Sequence, residues 1–195
     1  MSTTEQEQAT TAKASREDSA RRRWPNSLVL VNTGDGKGKS TAAFGVVIRG
    51  LARGWRVSVV QFIKSEKWKT GEKQVITALG ADWLTGGDGF SWESTDLDQS
   101  ARRALESWQI AKSAIEEARY ELIVLDELTY PINWRWIELE DVVATIRGRP
   151  AHVNLVITGR RAPAELVEAA DTVTEMVKVK HVFDRGIRAR RGIDF

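Results

Sequence analysis

The chain has 195 residues, 42% of them hydrophobic and 29% charged, which allows one soluble α/β domain with a sizeable core. Formal charge is only +2, and the basic clusters "RRRW" from Arg21 and "KVKHVFDRGIRARR" from Lys178 to Arg191 come with no zinc-finger, RRM-like or KH-like signature, so no nucleic-acid partner is expected. The absence of cysteine excludes disulfides, thiolate metal sites and a cysteine nucleophile and fits a reducing cytoplasm, while no apolar run approaches the roughly 18 residues that span a bilayer and no apolar signal region opens the chain.

Residues 1–23, "MSTTEQEQATTAKASREDSARRR", carry no large apolar side chain beyond the first methionine. They cannot bury enough surface to offset the entropy of ordering, so a disordered or partner-ordered tail is expected, followed by one domain over 24–195. "LVLVN" is a short apolar run that ends at a glycine-rich loop, and "STAAFGVVIRGLARG" then shows helical spacing with a glycine stop at Gly54. This predicts strand, loop, helix. "RVSVVQF" (Arg56 to Phe62), "ELIVLDE" (Glu121 to Glu127) and "VNLVITG" (Val153 to Gly159) predict three further strands, the middle one continuously apolar as a strand covered on both faces tends to be. The clearest helix is "DQSARRALESWQIAKSAIEEARY", with Ala101, Ala104, Leu105, Trp108, Ala111 and Ile115 on one face and a capped start expected at Thr95 and Asp98. Shorter helices are expected at "ELEDVVATIRG" and "PAELVEAA". Strands alternating with helices imply a mostly parallel sheet covered by helices on both faces, with ligands at the carboxyl ends of the strands.

The loop "TGDGKGKST", Thr33 to Thr41, has the composition of a phosphate cradle. Glycine tolerates the backbone angles that turn successive N–H groups toward an anion, and the helix that follows points its positive end the same way. Thr33, Gly34, Asp35, Gly36, Lys37, Gly38, Lys39, Ser40 and Thr41 are therefore the nucleotide-binding candidates, with Lys39 reaching phosphate oxygens and the Ser40 hydroxyl placed for Mg²⁺. The role of Lys37 is open, since a lysine inside such a loop can simply be solvated. One feature departs from the common pattern GxxxxGK[ST]: Thr33 stands where its first glycine would be, and Gly34 follows one residue later. "LIVLDE" reads as a strand that delivers Asp126 and Glu127, hard oxygen ligands suited to Mg²⁺ or its water shell. In "TGGDGFSWES" (Thr85 to Ser94), Phe90 and Trp92 sit in a polar loop with three glycines. They either cover an apolar partner or anchor a long loop to the core.

"NTGDGKGKSTAAFG", "VVQFIK", "GFSWES", "VLDELTY", "VITGRRAP" and "KHVFDRGIRARRGIDF", in that order and spacing, resemble the P-loop type of ATP:cob(I)alamin adenosyltransferases, the CobA/CobO/BtuR family. The resemblance runs from about Leu28 to Phe195 and includes the shifted glycine and leading threonine, which are the rule in that family. It implies a P-loop, RecA-like fold, a cytoplasmic homodimer, ATP and a reduced corrinoid as substrates, Mg²⁺ (or Mn²⁺) as cofactor, and a flavoprotein reductant as transient partner.

The resemblance further implies a reversed use of the loop, in which C5′ of the ribose rather than the γ-phosphorus is presented for attack. Co(I) of the corrinoid is the nucleophile and triphosphate leaves, stabilised by Lys37, Lys39, the metal and the helix end. The residues matching Phe90 and Trp92 occupy the lower face of the corrinoid and displace its axial base, which makes Co(II) reducible. Phe90, Trp92 and Lys39 are on this basis the catalytic candidates, with Ser40, Asp126 and Glu127 at the metal. Two other classes compete: a P-loop ATPase or kinase, whose products would be ADP with phosphate or a phosphorylated acceptor, and a corrinoid carrier, which would have no use for a triphosphate loop.

Overall fold

The computed structural model describes residues 25–63, 70–84 and 97–194. The tail, the expected cap at Thr95 and the pair Phe90 and Trp92 lie outside these residues. The strands are β1 (Val29–Thr33), β2 (Val57–Gln61), β3 (Asp82–Leu84), β4 (Leu122–Asp126), β5 (Asn154–Thr158) and β6 (Thr172–Glu175). The helices are α1 (Lys39–Leu51), α2 (Gly71–Ala78), α3 (Leu97–Glu116), α4 (Thr129–Asn133), α5 (Leu139–Gly148) and α6 (Ala164–Ala169), with a 3-10 turn at Val182–Arg185.

All strand pairs are parallel, in the order β3-β2-β4-β5-β1-β6, as the alternation of elements predicts. Side chains that alternate along each strand feed two separate cores. Leu122 and Val124 of β4 and Val156 of β5 pack with Ala43, Phe44 and Val47 of α1 and Ile76 of α2. Their neighbours Ile123, Leu125, Leu155 and Ile157 face the other way, onto Trp108 and Ile115 of α3, Ile146 of α5 and Leu166 of α6. β4 is buried along its whole length, which is why it reads as an unbroken apolar run.

Two strands escape the sequence pattern for different reasons. β3 is three residues long, and β6 is an edge strand, "TVTE", exposed throughout and recognisable only by its pairing with β1. Helices α2 and α4 are also additional. The first starts at Thr70, whose side chain accepts from Lys73 N at 3.4 Å, and the second is a short turn containing Pro131.

One residue of the expected α3 face is corrected. Leu105 is 45% exposed, whereas Ala104, Trp108, Ala111, Ala114 and Ile115 are buried, so the buried stripe is centred on Trp108 and rotated toward Ala114. What sets that rotation is α5: Trp108 Nε1 donates to Asp141 Oδ2 at 2.7 Å, and Lys112 Nζ meets Asp141 Oδ1 at 2.6 Å.

At the amino ends of the strands, Arg56 and Glu121 close the sheet reciprocally. Arg56 N donates to Glu121 Oε2 at 2.7 Å, Arg56 Nη2 donates to Glu121 Oε1 at 2.6 Å, and Glu121 N donates to Arg56 O at 3.0 Å. The Arg56 guanidinium, above all through its hydrogen bond, holds the Glu121 carboxyl at about 2 against an ordinary 4.5. A carboxylate whose folded pKa is depressed stabilises the fold above its unfolded value and loses that contribution as pH falls toward the folded one. Glu121→Gln is therefore expected to cost the fold a modest surface ion pair at pH 7, with the deficit shrinking as pH falls from about 4.5 toward 2, read by denaturant titration at several pH values.

Candidate active site

The carboxyl ends of β1, β4, β5 and β6 lie along one edge of the sheet, and the loop after β1 runs across it. Gly34 takes φ 94° and Gly38, the residue before α1, takes φ 113°, angles that a side chain would oppose. Lys39 folds back into this loop. Its ammonium donates to Gly34 O at 2.8 Å and Gly36 O at 2.7 Å, and the residue is only 7% exposed. Burial pushes that ammonium below the ordinary lysine value; Glu127 opposes the shift and the Arg160 charge adds to it. The lysine is thus held among loop carbonyls at the helix start, where an anion would take it over. Ser40 is half-buried and Thr41 exposed in the first turn of α1.

Close approach, as well as backbone angle, demands glycine here. A Cβ on Gly34 or Gly36 would lie 2.5 or 2.7 Å from Met176 O. Gly36 N donates to that carbonyl at 2.6 Å and Met176 N to Thr33 O at 2.8 Å, so the chain leaving β6 lies against the loop. One N–H expected of the phosphate cradle is therefore directed at Met176. Lys37, the lysine of open role, is ion-paired with Asp194, which brings the basic C-terminal segment back to the loop.

β5 separates β1 from β4, so the carboxylates reach the phosphate loop across an intervening strand. Thr158 at the end of β5 makes the bridge: its hydroxyl donates to Asp126 Oδ1 at 2.8 Å and accepts from Glu127 N at 2.9 Å. Gln61 Nε2 from β2 donates to Asp126 Oδ2 at 2.8 Å. Asp126 is fully buried, tying three strand ends together. Glu127 leaves the strand with φ 65°, so the two acids divide by a change of backbone rather than by facing opposite sides of a continued strand.

A family model described as "ATP:corrinoid adenosyltransferase BtuR/CobO/CobP" matches residues 25–195. The chain belongs to this adenosyltransferase family. Over 178 residues it is 41% identical to a corrinoid adenosyltransferase of Pseudomonas aeruginosa, covering 90% of this chain and 87% of that one. It is 38% identical over 168 residues to the corrinoid adenosyltransferase CobA of Salmonella typhimurium, covering 86% and 85%, and 39% identical over 168 residues to the corrinoid adenosyltransferase of Escherichia coli, covering the same shares. The resemblance drawn from the six motifs is borne out.

In this member of the adenosyltransferase family the site includes residues that the motif reading left without roles. Thr158 and Gln61 fix Asp126, and the turn after β5 places Arg160 beside the loop, with Nη1 3.5 Å from Asp35 Oδ1. "TGRRAP" directly behind a predicted strand was the available signal: a glycine and two cations at the ligand-facing end of a parallel strand. Gly159 makes that turn feasible. It adopts φ 143°, and a Cβ on it would lie 2.0 Å from Thr129 Oγ1. Gly159→Ala is expected to push α4 away from β5 and lower both melting temperature and ATP affinity; a variant that matches the wild type in a thermal melt and an ATP titration would show that the turn is compliant.

Proposed function

We propose that this chain transfers the 5′-deoxyadenosyl group of ATP to the Co(I) of a reduced corrinoid (cobalamin, cobinamide or cobyrinic acid a,c-diamide), releasing triphosphate, in adenosylcobalamin biosynthesis or salvage. The observation that carries this reading is the nearly buried Lys39 on the Gly34 and Gly36 carbonyls, in a chain whose residues 25–195 match the adenosyltransferase model. Co(I) attacks C5′, a Co–C bond forms, and the C5′–O bond breaks with its electron pair going to the triphosphate. Charge then grows on the leaving group. Lys39, Lys37, the free loop N–H groups and the start of α1 stabilise it there.

The donor set suits Mg²⁺, which ordinarily takes one or two carboxylates plus substrate phosphates. Ser40 and Glu127 would hold it, with Asp126 behind them through the water shell, and Mn²⁺ would substitute. When bound, the metal supplies positive charge to the triphosphate oxygens. Phe90 and Trp92 cover the lower face of the corrinoid and exclude its axial base, so that a flavoprotein reductant completes the step to Co(I). Among the described residues no helix is long and apolar enough to cross a membrane, and the reading places the enzyme in the cytoplasm. A homodimer is supported by the exposed edge strand β6 and the exposed apolar residues beyond it, Val179 at 92% and Ile193 at 75%.

Anaerobic incubation with chemically reduced cobalamin, ATP and Mg²⁺ tests the reaction. The expected result is the absorbance change of Co–C bond formation together with intact triphosphate. ADP with orthophosphate, and no Co–C bond, would make the chain a P-loop ATPase instead.

A further inference from the structure

The turn that joins β5 to α6 carries a cation to the phosphate loop and is fastened at several points. Thr129 Oγ1 donates to Arg160 O at 2.7 Å, Asn133 Nδ2 donates to Arg160 O at 3.3 Å and to Arg161 O at 3.1 Å, and Ala162 N donates to Thr33 Oγ1 at 3.1 Å. Gly159 at φ 143° and Arg161 at φ 53° both hold backbone angles that a side chain disfavours, and such angles persist where the surroundings over-determine them. The backbone of Arg160 is thus built in, while its side chain is half exposed and lies over the loop.

We propose that Arg160 is a triphosphate-binding residue, and that Thr33 is the positioning residue that holds its turn against the phosphate loop. The proposal rests on the adenosyltransferase reading. In the resting structure the guanidinium has Asp35 Oδ1 3.5 Å away, with the two side chains 49% and 60% exposed. A solvated pair that long is weak. A triphosphate offers the planar guanidinium a two-point contact that a lysine ammonium cannot make, and its charge repels Asp35. The Arg160 charge already acts on Lys39, so the two cations share one region of the site. Thr33 then has a use where the common loop has glycine: its hydroxyl accepts the Ala162 N–H and keeps the turn in place.

The probe is inorganic tripolyphosphate, titrated calorimetrically into the full-length protein without corrinoid, alongside thermal melts. Arg160→Gln is expected to weaken tripolyphosphate binding by about tenfold to a hundredfold, the loss of a charge-assisted contact, and to lower kcat/KM for ATP in step. Arg160→Lys keeps the charge and the aliphatic stem but not the fork, and is expected to recover only part of the affinity. Thr33→Val should weaken binding as well, with the double variant Thr33→Val/Arg160→Gln no weaker than Arg160→Gln alone. Should Arg160→Gln melt early, Arg160→Lys decides by itself, because wild-type affinity in a lysine variant would overturn the two-point contact. Wild-type affinity in Arg160→Gln, with Lys39→Ala still losing it, would overturn the role of Arg160 and leave the phosphate loop standing. Unchanged affinity in Lys39→Ala as well would take down the loop reading itself. Independent, additive losses in the double variant would remove Thr33 from the positioning role.

Discussion

Replacing Phe90 and Trp92 together with alanine is expected to abolish adenosylation that starts from a Co(II) corrinoid and a flavoprotein reductant, while pre-reduced Co(I) restores it. The rings are proposed to expel the lower axial ligand, which lowers the cobalt orbital that receives the electron. Co(I) needs no such help. The ATP site proposed from Gly34 to Thr41 is distant from these rings in sequence, so ATP affinity is expected to survive the double substitution. If the rings are core anchors instead, truncating them removes about 3–5 kcal/mol each. Both assays would then fall equally and the melting temperature with them, and that outcome would end the ligand-displacement role.

Lys39→Ala is expected to lose ATP affinity by about tenfold to a hundredfold, the worth of a charge-assisted phosphate contact. Its effect on the fold should have the opposite sign. Burial lowers the pKa of this lysine, so the native state binds fewer protons than the unfolded chain in the window between the lowered value and the ordinary 10.5. Stability rises with pH across that window, which means that below it, where the lysine is charged in both states, the buried charge is a cost to the fold. Removing it should leave the melting temperature where it was or raise it. ATP titration and a thermal melt on the same preparation check both halves, and near-wild-type affinity would remove Lys39 from the triphosphate site.

The loop after β1 was legible in the motifs because its geometry is local. Gly34, Gly38, Lys39 and Ser40 work within one loop and the helix that follows it, so their spacing carries most of their geometry. Arg160 escaped assignment because nothing in "TGRRAP" states that Ala162 will donate to Thr33, 129 positions earlier, or that Asp35 will face the guanidinium. Lys37 was open for the same reason, its partner Asp194 being 157 positions away.

By itself the sequence determined the α/β class, the four longer-patterned strands and the family. Continuous apolar runs buried on both faces and glycines at forced backbone angles leave direct marks on composition and spacing. Only the tertiary structure decided that β5 lies between the phosphate loop and the carboxylates, that β6 exists as an exposed edge, and that the helix α3 turns Leu105 to solvent. It also decided that Asp126 is locked by Thr158 and Gln61 while Glu127 turns out of the strand. Strand order and hydrogen bonds between distant segments depend on which surfaces meet after the chain collapses, and a local pattern of side chains contains no record of that meeting.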